Sequence, residues 1–293
     1  MKRASLWTTA LGMFGLVLAA SAAAQDMMRH VDLTSPEMTA AEMTRAEVEA
    51  AIAAGTSTQP ADFTGKRLSG LDLAGLDFSG AVMRGAKLNG TKLTGTKLDR
   101  AILDQAWLLD ADLRRASLRG ANIFAAQMQR AKLDGADLSG ARIAADLTGA
   151  SLVGAALVGA NLGADMKNQS MGLMRAVLKS ANLERAILRD ADLSRVDLEF
   201  ASLRDADLTN ASLRGAALGG ADLSGATIAG ADFSAADLAS TRLFAPIGLE
   251  SVKNLDKAQN IERLLRERHT AAGLHRNFSR WAIPRGVHAR SVT

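Results

Sequence analysis

Residues 131–157 read AKLDGADLSGARIAADLTGASLVGAAL, with an apolar residue at every fifth place of the first half. These residues are Leu133, Leu138 and Ile143. The next should fall at position 148, but Thr148 stands there and the leucine comes one place early, at Leu147. The step of five then resumes. It begins at Phe63 and, after a second interruption, ends at Leu243, so the whole middle of the chain is an internal repeat.

A period of five fits neither an α-helix nor a β-strand. Alanine often stands two places before the central residue, as Ala131 does before Leu133. Two such residues point the same way only where the backbone is extended. The other three places are polar or Gly, so they must contain a turn. The pattern therefore predicts short extended sides joined by turns, stacked as parallel strands about 4.8 Å apart.

The units have the form A-[D/N/S]-[L/F]-x-x. Examples are ADLRR (111–115), ADLSG (136–140), ANLER (181–185) and ADLTN (206–210). Over residues 61–246 this pattern resembles the pentapeptide-repeat family. The resemblance implies an all-β solenoid, a right-handed quadrilateral parallel β-helix, and about 36 five-residue units would then form about nine coils. The square cross-section and the handedness come from the resemblance and not from the periodicity.

The first 24 residues have the parts of a secretory signal peptide. Lys2 and Arg3 precede a mostly apolar stretch, and Ala22–Ala24 offers small residues for cleavage. The alternative is an uncleaved membrane anchor, but the strongly apolar part, residues 10–20, is shorter than the ~20 residues that span a bilayer. We therefore expect an exported protein, periplasmic or secreted, without a transmembrane anchor after cleavage. The chain has no Cys, so no disulfide holds it together.

A solenoid exposes its core at both ends and needs caps. Residues 25–60 are predicted to form an N-terminal helical cap, with Ser35 as an N-cap and Thr44 and Glu47 as a capping box. Val48, Ala51 and Ile52 would form its apolar stripe. A partner-binding helix is the alternative. Residues 247–293 are predicted to form a C-terminal helix, over 254–268, followed by a flexible basic tail from Thr270 on.

Two irregularities interrupt the repeat. One is the missing residue near Ala144, for which we predict a kink or a trimmed corner and not a domain boundary. The other is the segment 163–172, which puts eleven residues between Leu162 and Leu173 and is predicted to be a surface loop.

The sequence offers no catalytic constellation. The four His residues lie outside the repeat without metal-ligand spacing, and there is no Cys nucleophile. Asp residues recur one place before the centres because the unit recurs, and their side chains can hydrogen-bond the turn backbone. We therefore predict no enzyme activity, no cofactor, no metal and no small-molecule substrate.

Some outward places depart from the polar pattern and form a candidate partner patch. Its members are Val82, Ile102, Trp107, Leu109 and Phe124. Residues 20 apart should stack, which would bring these side chains together. The alternatives are scattered exposed residues, or burial under the N-terminal helices or the tail.

Basic residues form a candidate cationic face. Its members are Lys87, Lys92, Lys97, Arg175 and Arg195. The three lysines follow one another around one coil, and the two arginines should stack as like charges. An ordinary solvated face is one interpretation, and binding of an anionic envelope surface is the other.

These features favour a non-enzymatic exported scaffold that presents its faces to a protein or cell-envelope partner. The alternative is anionic-polymer or nucleic-acid binding through the basic tail, although aromatic stacking positions are absent. A purely structural rod is a third reading. Some members of the resembled family mimic DNA and bind a type II topoisomerase, a role that needs a cytoplasmic protein with an acidic surface. An export signal and a near-neutral repeat region argue against that role here.

Overall fold

One kind of backbone hydrogen bond repeats through the described part of residues 61–265. The N–H of Leu113 donates to the carbonyl of Lys132 at 2.7 Å, and the N–H of Lys132 donates back to Ala111 at 2.9 Å. Such reciprocal bonds between residues about 20 apart are those of a parallel ladder. The computed structural model describes residues 31–164 and 174–266, and in them the ladder builds a four-sided parallel β-helix.

Each side of the β-helix is a column of residues that pair from coil to coil, and we name the sides by their first member. Face A begins at Asp62, face B at Arg67, face C at Asp72 and face D at Asp77. Most steps along a column are 20 residues. Face A runs through Asp62, Val82, Ile102, Asn122, Arg142, Asn161, Asp192, Ser212, Asp232 and Lys253.

The core is a stack of leucines flanked by alanines. Central side chains such as Leu133 and Leu203 are 0% exposed, and so are the alanines two places before many centres. In the first coil Phe63 and Phe78 meet edge to face, with ring centroids 5.7 Å apart. At most other levels the interior is filled by one aliphatic side chain and one alanine per side, which is consistent with the few aromatic residues in the chain.

Each corner is a four-residue turn. The N–H of Ala136 donates to the carbonyl of Leu133 at 2.9 Å, and Gly135, the third residue of that turn, has φ +65°. A positive φ at this place favours Gly or Asn. Several units nevertheless put another residue there, among them Gln105 at φ +58°.

We predict that Gln105→Gly stabilises the protein and that Gly140→Gln destabilises it. Gly140 has φ +67° with no atom near its would-be Cβ, so the two changes test backbone conformation alone. A residue with a side chain is destabilised in the left-handed conformation, and Gly partly offsets this advantage because it loses more entropy on folding. We therefore expect the free energy of unfolding to change by roughly 0.5–1 kcal/mol, upward for the first variant and downward for the second. Urea unfolding of the two variants measures this. Equal shifts of the same sign would contradict it.

The one-residue slip is a trimmed corner between faces A and B. Strand β1, Asn122–Gln127, pairs in parallel with strand β2, Arg142–Asp146. In β1 the corner contains Ala125, at φ +54°, whereas β2 passes through the irregularity without a residue of positive φ. Face A continues through Arg142 to the next coil, so the stack runs through this point without a domain boundary.

The second irregularity is longer than its sequence pattern suggests. The N–H of Ala176 donates to the carbonyl of Leu162 at 3.1 Å, which is the usual bond across a corner, and Val177 pairs with Asp146. Leu178 is therefore the centre that follows Leu162. The insertion spans 163–175 and not 163–172, and Leu173, expected to be a centre, lies outside the described residues.

The deletion and the insertion lie at neighbouring levels of the same corner, between faces A and B. One residue is lost at the first and eleven are gained at the second, relative to the usual two-residue corner. The net gain is two whole units. Because this gain is a multiple of five, the central residues after the insertion again fall at the positions expected from the first run. The sequence pattern alone therefore does not reveal the true length of the insertion.

Two helices cover the first coil. Helix α1 is Pro36–Thr39 and helix α2 is Arg45–Ala54. The predicted capping box of Thr44 and Glu47 is present. Val48 is 0% exposed and belongs to the core cluster, while Ala51 and Ile52 pack against it.

Helix α2 also covers part of the free edge of the first coil. The Arg45 guanidinium donates to the carbonyls of Asp72 and Ala74, at 2.8 and 3.3 Å. Ser35 is at the N-cap of α1, but its hydroxyl donates to the carbonyl of Asp32 and does not cap the helix.

The predicted C-terminal α-helix is wrong. Residues 247–265 form a further coil of the β-helix, in which Lys253, Gln259 and Leu265 pair with residues of the coil before. Its corners contain three short 3₁₀ turns, Leu249–Ser251, Leu255–Lys257 and Ile261–Arg263.

This last coil has sides of six residues. Gly248, Asn254 and Asn260 each take a left-handed conformation just before an apolar residue, Leu249, Leu255 or Ile261. The amides of Asn254 and Asn260 donate to Asp232 and Asp237 of the preceding coil, at 2.9 and 2.7 Å. Apolar residues stand three apart at positions 255, 258, 261 and 264. This spacing fits an α-helix, and it also fits a β-helix side of six residues in which two residues point inward. The recurring Gly or Asn before the large apolar residue distinguishes the two.

The predicted signal peptide, residues 1–24, and the basic segment from Thr270 on lie outside the described residues.

Candidate interaction surfaces

The five residues of the predicted partner patch share a region but not an open surface. Val82 and Ile102 pair directly on face A, and Phe124 lies one coil beyond them. Leu109, on face B, is only 5% exposed, and the other four are half-buried. The guanidinium of Arg142 lies 5.4 Å from the ring centroid of Phe124.

Helix α1 accounts for part of this burial. The carbonyl of the buried Met38 accepts a hydrogen bond from the Asn89 side chain at 3.1 Å. The same Asn89 side chain accepts from the N–H of Leu109 at 3.0 Å. The N-terminal segment thus lies against face B beside Leu109, as one of the alternatives from the sequence had it.

The three lysines of the predicted cationic face have acidic partners. The ammonium groups of Lys87, Lys92 and Lys97 lie 3.5, 2.9 and 3.3 Å from carboxylates of Glu37, Asp72 and Asp77. Exposed pairs of this kind contribute little to stability, but they neutralise the lysines locally.

Of the two arginines, Arg175 contacts the backbone of Arg195 and a carboxylate. The Arg175 guanidinium donates to the carbonyl oxygen of Arg195 at 2.8 Å and lies 4.0 Å from the Asp197 carboxylate. Further coil-to-coil pairs follow the same plan on other faces, such as Arg130 with Asp110 at 2.6 Å and Lys179 with Glu199 at 2.8 Å.

Three large apolar side chains that the sequence reasoning missed are exposed. Phe200 is 63% exposed, Ile247 60% and Val158 38%. Phe200 occupies the left-handed corner position, at φ +59°, where half of the units have Gly. Its ring lies over Gly220, where a Cβ would come within 2.6 Å of it. A count of residue types at that corner position would have found Phe200.

Val158 lies among three consecutive sides of the β-helix, on faces C, D and A, that carry no charge. Residues 147–164 contain no Asp, Glu, Lys or Arg, although charged residues make up 23% of the chain. Val153, Ala156 and Val158 point outward on faces C and D, and Ile187 pairs with Ala156 in the next coil. We call these four residues the apolar belt.

The recurring aspartates act on the turns, as the sequence predicted. The carboxylate of Asp62 accepts from the N–H of Thr64 at 2.8 Å, and that of Asp137 accepts from the N–H of Ser139 at 2.9 Å. Hydrogen bonds from the Thr64 side chain and backbone hold the pKa of Asp62 below its ordinary value. The Arg114 side chain does the same for the pKa of Asp112, against the opposing effect of partial burial.

Within residues 31–164 and 174–266, no cluster of three or more His, Cys, Asp or Glu side chains could hold a metal ion. In the same ranges no helix is both long and apolar enough to cross a membrane.

The repeat is recognised by a model of the pentapeptide repeats, which matches eight copies over residues 61–100, 98–140, 173–210 and 206–243. The chain belongs to the pentapeptide-repeat family. The matches leave out residues 141–172, which contain the trimmed corner and most of the insertion. Members of this family are generally non-enzymatic structural or interaction proteins.

Solved structures of pentapeptide-repeat proteins are similar to the chain. HetL of Nostoc sp. strain PCC 7120, involved in heterocyst differentiation regulation, is 28% identical, with 74% of this chain and 94% of that chain covered and a TM-score of 0.33. QnrB1, a plasmid-mediated fluoroquinolone resistance protein, is 21% identical over 70% and 86%, with a TM-score of 0.41. A thylakoid-lumen protein of Arabidopsis thaliana is 29% identical over 40% and 67%, with a TM-score of 0.21. No curated protein matches the chain. The family assignment rests on the repeat itself.

We predict that acid destabilises the β-helix through its turn aspartates. A carboxylate whose pKa is lowered by folding stabilises the protein above its unfolded pKa, about 3.9, and this contribution is lost as the pH falls through the folded value. The pKa values of Asp62, Asp77 and Asp112 are lowered in this way.

The triple variant Asp62→Asn, Asp77→Asn, Asp112→Asn keeps a side-chain oxygen for each turn and removes the titration. Thermal unfolding between pH 6 and pH 3 should show a smaller acid-induced loss than in the unaltered protein. An unchanged slope below pH 4 would contradict the prediction.

Proposed function

We propose that this protein is an exported, non-enzymatic scaffold that presents the faces of its β-helix to a protein partner in the cell envelope. The observation that carries the proposal is the apolar belt. It belongs to three consecutive charge-free sides, on a rod that elsewhere carries ladders of opposite charges.

The belt has the properties of a contact surface. Val158 is 38% exposed and its neighbours are half-buried, so their apolar area meets water in the isolated chain. Contiguous apolar area bounded by charged residues is typical of protein–protein contacts. Lys132, Asp134 and Glu184 lie in the coils on either side and would form a polar rim.

Export is part of the proposal and is supported by the sequence of residues 1–24. The right-handed sense is likewise what family membership implies, and the count of about nine coils follows from the number of five-residue units in the sequence. Because the chain has no cysteine, no disulfide can stabilise it in the cell envelope. Packing between successive coils must supply the stability, and the continuous stack of buried central residues is consistent with that.

The five residues of the predicted partner patch remain a second candidate surface. Their burial argues for the belt as the main contact, because Leu109 is inaccessible and α1 occupies part of face B.

Anionic-polymer or nucleic-acid binding through the basic tail is the alternative. On the rod the three lysines around the first coils are matched by carboxylates, so any excess of positive charge lies in the last 47 residues. A DNA-mimic role is less favoured, because arginines and lysines accompany the acidic residues of the described faces.

Affinity capture from a cell-envelope extract tests the proposal. Val153→Asp with Val158→Asp should lose the captured partner, because two charges would have to be desolvated at the contact. The matched control is Thr64→Asp with Ser79→Asp, which adds the same charges at exposed positions of the first coil, away from the belt, and should retain the partner.

Retention by the belt variant at wild-type level would overturn the proposal. Trp107→Ala with Phe124→Ala reports on the second surface in the same capture. Arg276→Ser with Arg280→Ser and Arg285→Ser reports on the tail, since only polyanion binding should respond to it.

A further inference from the structure

The two ends of the β-helix are covered to different degrees. At the first coil, α2 places Val48 at 0% exposure in the core cluster. At the last coil, Leu249, Ile261 and Leu264 are only half-buried, although they are inward residues. Leucines of the inner coils, by contrast, are 0–1% exposed.

The backbone of the last coil is also an open edge. Face D ends at Ile247, which is 60% exposed and pairs only with Thr227 in the coil before. No bridge beyond Lys253, Gln259 or Leu265 is formed within the described residues. An apolar end face bordered by unpaired strand edges is a surface that proteins cover with another element.

The chain itself supplies a segment at the right place. The last pairing, Arg242 with Leu265, lies on face C at the terminal coil, and the described chain ends one residue later at Arg266. The 27 residues that follow therefore start at the rim of the end face. A segment of 14 residues would span about 21 Å as a helix.

The sequence of this segment has the spacing of an amphipathic helix. Ala271, Leu274, Phe278 and Trp281 follow one another at steps of three, four and three. Pro284 stands three places after Trp281, where a helix would end. The stripe is of the same kind as Val48, Ala51 and Ile52 of α2, which cover the opposite end.

We propose that residues 270–283 of this chain dock on the end of the last coil and cap the β-helix there. Leu274, Phe278 and Trp281 cover Leu249, Ile261 and Leu264. The occupant is the chain's own tail, held in place by its covalent connection at Arg266, which gives it a high effective concentration at the end face. The inference does not depend on the proposed partner surface, since the belt lies several coils away.

Single-site labelling of the full chain tests this, because the chain has no cysteine. Trp7→Phe and Trp107→Phe leave Trp281 as the one tryptophan. A bimane label at Glu262→Cys, exposed on the last coil, should be quenched by Trp281. A label at Ser79→Cys, exposed on the first coil, should not be.

Tail variants separate docking from mere proximity. Leu274→Asp with Phe278→Asp should abolish the quenching at position 262. Ala272→Asp with Ser279→Asp, which adds the same charges to the other side of the segment, should leave it intact. Equal quenching at positions 262 and 79, absent quenching at 262, or loss in both tail variants would overturn the proposal.

A mixing experiment distinguishes the chain's own tail from that of a second copy. Chains labelled at Glu262→Cys and carrying Trp281→Phe are mixed with unlabelled chains that retain Trp281. No quenching is expected. Quenching that grows with the concentration of unlabelled chain would assign the end face to a second copy and overturn docking of the chain's own tail.

Discussion

The structure depends on one constraint, that each central residue must lie over the central residue of the coil before. The inward leucines and the backbone ladder enforce it together. The N–H of Leu183 can reach the carbonyl of Ser202, at 2.7 Å, only while each coil rises by one strand spacing. The outward residues are then stacked as well, whatever their chemistry.

This stacking explains the charge distribution of the surface. Residues 20 apart become neighbours, so like charges at that spacing would repel along a whole face. The chain often places opposite charges there, as with Lys97 over Asp77 and Arg130 beside Asp110, whereas Arg175 and Arg195 are an exception. Three consecutive sides without any charge, residues 147–164, are therefore a departure that the folding constraint does not explain. That is why the belt is the stronger candidate for a contact surface than the half-covered residues of faces A and B.

The corner between faces A and B shows what the constraint tolerates. One coil loses a corner residue and the next replaces the same corner by residues 163–175, yet Arg142, Asn161 and Asp192 continue face A without a break. Corners lie outside the core and the ladder, so their length can change at little cost. At the last coil the sides themselves lengthen to six residues, and Asn254 and Asn260 provide the left-handed backbone that the longer side requires.

The sequence by itself determined the repeat, the inward leucines and alanines, the turn aspartates and the capping box of α2, because each of these depends on residues within one or two units. It did not determine the extent of the insertion, since a gain of eleven and a loss of one restore a step of five. Nor did it determine the last coil, because apolar residues three apart fit a helix as well as a six-residue side. Burial of Leu109 under α1 and exposure of Phe200 were decided only by the tertiary structure. Both depend on which segments, far apart in the chain, come to lie on the same face.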